Sequence, residues 1–197
     1  MVSGPAYTRL DVDERRRRLL DLGADLFARH AYDELTMATI AREAGIAKAL
    51  LYHYFPGKQA YFAATLEDKA AELAELTEPD PSLPPMEQLT RALDAFLAWV
   101  EANRAAYGKL VRSAAAIPEV REVVHRVRDA TSARILDGLT GGRADVAPPA
   151  MRTAVRAWLW FMDGAILDWV EHEDLTREQL RGLLLDTLTG AVGASRR

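Results

Sequence analysis

With 197 residues, of which 49% are apolar and 27% charged, the chain has the composition of a folded globular protein with one domain or two small ones. It contains no cysteine, which excludes disulfides, thiolate nucleophiles and thiolate-bound metals. No apolar run reaches the roughly 18 residues needed to span a bilayer, and no signal-peptide pattern opens the chain, so we expect a cytoplasmic protein with no membrane partner.

Positive charge is concentrated near the start of the chain. The net charge is −4, yet residues 1–60 carry nine Lys and Arg against eight Asp and Glu, and four of these cations form the run Arg15 to Arg18. The run lies in the first predicted helix, which begins near Asp11 to Glu14 and has apolar residues three and four positions apart. It fits a solvated helix face as well as a phosphate-contacting surface, and the sequence leaves both open.

Two short helices joined by a sharp turn are predicted next. Thr36 is placed to cap the first of them, and Gly45 supplies the left-handed residue that ends it. The second runs from about Ala47 to Phe55 and is ended by the proline that follows. Such a pair forms a helix-turn-helix, here over residues 36–55, whose second helix enters the major groove of DNA.

The remainder of the chain is also predicted to be helical. A fourth helix opens at Lys58 and ends before the proline-rich linker at residues 79–85. Five further helices follow, and the last has a capping box from Thr176 to Gln179. Because no segment alternates apolar and polar residues as strands do, the predicted fold is all-α with about nine helices.

The segment from Ala41 to Lys58 closely resembles the signature of the TetR/AcrR family of transcriptional regulators. It combines a glycine turn, an aromatic-rich second helix and a following lysine in one register. The resemblance covers about residues 15–62. It extends back from the signature through Leu26, Phe27, Tyr32 and Thr36.

The resemblance implies a helix-turn-helix domain over residues 1–60 and a helical ligand-binding and dimerisation domain over residues 61–197. It implies a homodimer that binds double-stranded DNA at a palindromic operator as a repressor and is released by a small-molecule effector. The last two helices would pair with those of a second copy. In support, leucines cover more than one face of the final helix: Leu180, Leu183, Leu184, Leu185 and Leu188.

The third helix has features that folding alone would disfavour. A cation in its first turn, Lys48, opposes the helix dipole at a cost of a few tenths of a kcal/mol, which is easier to understand if phosphates lie opposite. Leu51 and Phe55 are predicted to face the core. Similarity to the family assigns phosphate contacts to Tyr52 and Tyr54. The full set of predicted DNA contacts is Thr36, Ala47, Lys48, Ala49, Leu50, Tyr52, His53, Tyr54 and Lys58.

Four positions depart from the family pattern, among them Ala31 at a turn position where glycine is common. Ala47 stands where a serine or threonine usually caps the recognition helix, and Ala49 and Leu50 replace the usual glycine and hydroxyl residue. The operator sequence therefore cannot be transferred from the family. The missing cap keeps open an alternative function, a helical dimeric small-molecule-binding protein with weak or lost DNA binding.

The C-terminal region has aromatic residues that suit a small apolar or aromatic effector as well as a plain core. Asp163 lies among large apolar residues, so its carboxylate must reach water, pair with an arginine or meet a ligand. The predicted ligand-binding residues are Trp99, Tyr107, Trp158, Phe161, Met162 and Asp163.

An enzyme would need convergent chemistry, which the sequence lacks. The four histidines fall in different predicted helices, and no glycine-rich phosphate loop or nucleophile motif is present. Asp168 and His172 are one turn apart, but two ligands without a third make a weak metal site. We therefore predict no catalytic residue, no metal and no cofactor.

Overall fold

A computed structural model describes residues 12–113 and 117–195; Asp11, at the predicted start of the first helix, lies outside these ranges. Within them the chain forms nine α-helices and two short 3-10 turns, at Tyr32–Glu34 and Ala144–Val146, and no strand. The all-α prediction is confirmed. The helices are α1 Val12–Arg29, α2 Met37–Glu43, α3 Lys48–Tyr54, α4 Lys58–Leu76, α5 Pro85–Ala102, α6 Arg104–Ser113, α7 Pro118–Thr140, α8 Pro149–His172 and α9 Arg177–Ala194.

The chain divides into two compact units, the first ending at Asp68 and the second beginning at Lys69. The division falls inside α4, so one continuous helix belongs to both units. No helix among the described residues is both long enough and apolar enough to cross a membrane.

The first unit is built around the contact between α1 and α4. The ring centroids of Phe27 and Phe62 are 4.1 Å apart, and the buried Tyr61 hydroxyl donates to the carbonyl oxygen of Leu19. Gly23 makes this approach possible, because a methyl group there would lie 2.9 Å from the Tyr61 hydroxyl oxygen and still closer to that of Thr65. The remaining core of this unit comes from Leu20, Leu26, Leu35, Met37, Ile40, Ala41, Leu51 and Phe55.

The second unit is built around α8, which packs against α7 and α9, while α9 also packs against α5. The indole nitrogens of two buried tryptophans fix α8 to the last part of the chain. Trp158 donates to the carbonyl oxygen of Leu184 and Trp169 to that of Leu175, each at 2.8 Å. The predicted capping box at the start of α9 is confirmed, since Thr176 accepts from the Gln179 backbone and the Gln179 side chain accepts in return.

The leucines of α9 do not all lie where the dimer hypothesis needs them. Leu180, Leu184 and Leu188 are fully buried in the core of their own chain, because helix spacing aligns them on the side that meets α8 and α5. Leu185 is half-buried against the same core, and Leu183 is exposed. Three of the five leucines therefore belong to the core of their own chain, and the pairing of α9 with a second copy stays a prediction.

Candidate nucleic-acid interface

Hydrogen bonds close α2 at both ends, and those at its C-terminus fix the turn into α3. Thr36 caps the helix, its hydroxyl oxygen accepting from the Thr39 backbone nitrogen at 3.1 Å. Gly45 has φ +65°, and the next backbone nitrogen, that of Ile46, donates to the carbonyl oxygen of Ala41 at 3.0 Å. This is the Schellman arrangement, which reverses the chain in two residues. The predicted cap and glycine turn are both confirmed.

One face of α3 is held in the core, and that determines which side chains remain outside. Leu51 and Phe55, four residues apart, are buried as predicted. Phe55 is extended at φ −139°, so the helix ends before Pro56 as its sequence requires. The exposed side chains are therefore Lys48, Ala49, Tyr52 and His53, while Leu50 and Tyr54 are half-buried at the edges of this face.

The exposed face of α3 combines a lysine with aromatic rings and has no acidic residue. The Lys48 ammonium lies 5.7 Å from the centroid of the Tyr52 ring, and the rings of His53 and Tyr54 meet edge to face at 5.6 Å. Such a surface offers a positive charge and hydroxyl donors to phosphate oxygens and flat rings to base edges. Lys48, Tyr52 and His53 are exposed, and only Tyr54 is half-buried beside the core.

The start of α3 lacks the side-chain cap that α2 has. Ala47 takes the extended N-cap conformation, φ −65° and ψ 139°, but has no side-chain acceptor for the first backbone N–H groups. The missing cap inferred from the sequence is thus present in the structure.

Lys58 and Thr36 have partners within the chain. The Lys58 ammonium lies 4.0 Å from the centroid of the Tyr32 ring and donates to the Tyr32 carbonyl oxygen at 2.9 Å. The Thr36 hydroxyl is shared between the backbone and side chain of Thr39. An ammonium has three N–H groups, so its bond to Tyr32 leaves donors for a phosphate. The contact with Tyr32, 26 residues away, gave no signal in the sequence.

The arginine run of α1 is partly engaged by the first unit itself. Arg18 pairs with Glu14 at 2.7 Å, one turn earlier on the exposed surface, and the Arg16 guanidinium carbon lies 5.7 Å from the centroid of the Phe55 ring. The first contact is a solvated helix pair; the second ties α1 to the end of α3. Arg17 is exposed.

The structure brings together only some of the predicted ligand-binding residues in the second unit. The Tyr107 hydroxyl donates to Asp163 Oδ1 at 2.9 Å, and Asp163 pairs with Arg128 through its other oxygen. Of the three environments predicted for this carboxylate, namely water, an arginine or a ligand, the structure shows the arginine. Burial, followed by the charge and hydrogen bond of Asp163, raises the pKa of Tyr107 well above its ordinary value. Trp158 is buried against α9, and Phe161 is exposed at the surface.

The remaining two members, Trp99 and Met162, are half-buried against the core of the unit. At the end of α8, His172 and Asp168 form an exposed pair. The Asp168 carbonyl oxygen, 3.0 Å from the His172 ring, and the Asp168 carboxylate raise the pKa of His172.

A helix-turn-helix whose second helix exposes a lysine beside aromatic rings is typical of a DNA-binding protein. Comparison with known proteins gives its family. Residues 19–65 match the family model for bacterial regulatory proteins of the tetR family, and residues 85–191 match the model for the tetracyclin repressor-like C-terminal domain. The chain belongs to the TetR family and is a helix-turn-helix transcriptional regulator; members of this family are DNA-binding regulators and not enzymes.

Individual relatives agree with this assignment. The chain is 26% identical over 180 residues to the uncharacterized HTH-type regulator YhgD of Bacillus subtilis, covering 87% of this chain and 93% of that protein. It is 38% identical over 61 residues to the regulator BetI of Brucella anthropi, a match that covers 31% of each chain.

Solved structures show the same fold. A tetR-family transcriptional regulator from Streptomyces coelicolor superposes with a TM-score of 0.79 at 29% identity, covering 94% of this chain and 83% of that one. A putative transcriptional regulator from Pseudomonas aeruginosa PAO1 gives the same TM-score at 18% identity, covering 98% of each chain, and therefore shows the fold alone.

Proposed function

We propose that this regulator is a repressor that binds a palindromic operator as a homodimer and is released by a small apolar or aromatic effector. The observation that carries the proposal is the exposed face of α3. A lysine, a tyrosine and a histidine are held outward there by a buried leucine and phenylalanine, and the helix tolerates a cation at the wrong end of its dipole.

We assign the predicted DNA contacts different roles according to their surroundings. Lys48 and Tyr52, both exposed, contact phosphates, and His53 and Ala49 face base edges. Leu50 and Tyr54, half-buried, contact DNA only with the outer part of their side chains. Thr36, Ala47 and Lys58 contact phosphates at the ends of their helices, with Lys58 also bonded to Tyr32.

The homodimer is proposed to form through α8 and α9. Members of the TetR family typically act as dimers, and these two helices expose large apolar side chains, Trp160 and Phe161 on α8 and Leu183 on α9. Beside them, a methyl group on Gly164 would meet nothing within 4 Å, so this part of α8 is open to close approach. A two-fold dimer places its recognition helices in two half-sites, hence the palindrome.

The effector is proposed to act through the second unit, on the residues around Tyr107 and Asp163. Trp99 and Met162 are half-buried beside the same core, and we assign them to the effector site together with Trp158 and Phe161. Release requires that the effector favour the conformation with low DNA affinity by a few kcal/mol over the one that binds. We propose that α4, which is continuous from the first unit into the second, transmits this conformational change to the helix-turn-helix.

The test is binding of the full chain to DNA from upstream of its own gene, followed by fluorescence anisotropy over a salt series. Lys48→Ala/Tyr52→Ala is compared with Arg134→Ala, which removes one exposed cation from α7. We expect wild type and the α7 variant to bind tightly with a steep salt dependence, and the double variant to bind no better than to random DNA.

The alternative function gives the opposite result. If wild type and double variant bind this DNA and random DNA equally weakly, with fold and dimer intact, a selection from genomic fragments decides whether another operator exists. Failure there favours the dimeric small-molecule-binding protein that the uncapped Ala47 keeps open.

A further inference from the structure

An ion pair inside the second unit fixes one guanidinium in place. Asp163 Oδ2 accepts from Nε of Arg128 at 3.1 Å and also from its Nη2, while Oδ1 accepts from Tyr107. The side chains of Arg128 and Asp163 are each only 15% exposed. Buried charges are unfavourable unless paired and hydrogen-bonded, so two donated hydrogen bonds to one carboxylate oxygen leave Arg128 little freedom to rotate.

The fixed guanidinium lies against a tryptophan that faces solvent. The Arg128 guanidinium carbon is 3.9 Å from the centroid of the Trp160 ring, within the distance of a strong cation–π contact. Trp160 is nevertheless 61% exposed, so the arginine covers one side of the ring and the rest remains open. Trp160 and Asp163 are three residues apart on α8, and the same arginine therefore meets both.

The open side of Trp160 belongs to the surface proposed above for dimerisation. Phe161 is its neighbour on α8, 40% exposed, and Leu183 on α9 is 45% exposed. A tryptophan held only by its own side-chain torsions would lose rotational entropy on packing against a partner. A ring that the Arg128 guanidinium already holds in one orientation loses less rotational entropy on association.

We infer that Arg128 is a positioning residue for the homodimer: anchored by Asp163, it holds the Trp160 ring in the orientation that packs against a second copy of the chain. The inference rests on the dimer of the proposed function. Arg128 therefore acts on the dimer interface only through Trp160 and does not itself contact the partner.

The test is the dimer dissociation constant of the full chain, measured by sedimentation for wild type, Arg128→Lys, Trp160→Leu and the combined variant. Lysine keeps the charge that Asp163 needs but lacks the flat surface that stacks on the ring. Since each dimer orders two such rings, and the ordering of a side chain at an interface opposes association, we expect Arg128→Lys to raise the dissociation constant by about 5- to 150-fold. In the Trp160→Leu background the same substitution is expected to have no further effect. Arg134→Lys, an exposed arginine on the same helix, is the matched control and leaves the constant unchanged.

Two further measurements separate the outcomes. Asp163→Asn changes neither Arg128 nor Trp160 but removes the charge that anchors the arginine. We expect it to raise the dissociation constant when residue 160 is tryptophan and to have no effect in the Trp160→Leu variant. The fluorescence of Trp160 is obtained by subtracting the spectrum of Trp160→Phe. We expect acrylamide to quench it more strongly in Arg128→Lys dimers than in wild-type dimers.

An unchanged dissociation constant for a folded Arg128→Lys, or an effect that persists fully in the Trp160→Leu background, overturns the inference. A wild-type chain that is monomeric with its fold intact contradicts the proposed dimer itself, which is a separate result. If Arg128→Lys does not fold, the Asp163→Asn pair of variants gives the same decision.

Discussion

Replacing Ala47 by serine is expected to stabilise α3, because the backbone there already has the N-cap conformation and lacks only the acceptor. The neighbouring helix provides an internal reference. Thr36, with φ −121° and ψ 157°, places its hydroxyl oxygen 3.1 Å from the backbone nitrogen three residues on. A serine at 47 can accept from the backbone nitrogen of Ala49, or share that of Leu50, which here donates to the Ala47 carbonyl oxygen at 2.9 Å.

The size of the effect follows from capping energies. A side-chain cap contributes about 0.5 to 2 kcal/mol, and a chain of this length gains roughly 2 to 4 °C per kcal/mol, so Tm is expected to rise by about 1 to 8 °C. Thr36→Ala is expected to lower Tm by a similar amount. The assay is thermal unfolding followed by circular dichroism, with urea midpoints as a second measure.

The control is Ala49→Ser, which adds the same hydroxyl two residues later, inside α3, where it cannot cap and is neutral or slightly unfavourable. If Ala47→Ser and Ala49→Ser change Tm equally, the gain is unrelated to capping and the reasoning fails. A drop in Tm for Ala47→Ser would mean that the extended conformation at residue 47 is already stabilised by something that the serine displaces.

Three other changes have defined outcomes. Lys48→Ala is expected to reduce the steepness of log Kd against log salt by about 1.8 per dimer, since each lost phosphate contact removes about 0.9, and an unchanged slope places Lys48 away from DNA. Gly23→Ala is expected to lower the urea midpoint because its methyl group meets Tyr61 and Thr65. Gly138→Ala, whose methyl group has only a 3.9 Å contact, is expected to raise the midpoint, since helix propensity adds about 0.5 to 1 kcal/mol to the free energy of unfolding. The raised pKa of Tyr107 means that its contribution to stability is complete below about pH 10, the unfolded pKa, and is lost as pH rises toward the folded pKa. Tyr107→Phe is therefore expected to make the fall of the urea midpoint with pH less steep between roughly pH 9 and 11, and a fall as steep as in wild type contradicts this assignment.

The sequence predicts the local parts of this structure well because the determinants are local. Each determinant acts within one turn of helix: a hydroxyl caps a backbone group three residues on, a glycine closes a helix, and a proline ends one. The cap at Thr36, the turn at Gly45 and the end of α3 at Phe55 are therefore found where the sequence predicts them. Periodicity likewise identifies Leu51 as a core residue. These features suffice to define the helix-turn-helix and the face that it exposes.

The contacts that the sequence could not predict join distant residues. Lys58 meets Tyr32 across 26 residues, and Arg128 meets Asp163 across 35. For Asp163 the sequence could state that a partner was needed, since a carboxylate among apolar residues is costly, but not which of many arginines supplied it. The leucines of α9 show the same limit: periodicity predicts an apolar stripe, but whether a stripe packs on its own chain or on a second copy depends on the tertiary fold.

The Arg128 cluster also constrains how an effector can act on the second unit. Asp163, one of the residues proposed to meet the effector, accepts from Tyr107 with one oxygen and holds Arg128 against Trp160 with the other. A ligand that takes over the carboxylate therefore frees the guanidinium and changes the support of the ring. By linkage, a ligand that weakens the dimer must itself bind the dimer more weakly than the monomer, and with one site per chain the weakening is the square of the ratio of the two affinities. Effector affinity measured above and below the dimer dissociation constant reports this coupling without DNA, and equal affinities would show that the effector leaves the Arg128 anchor in place.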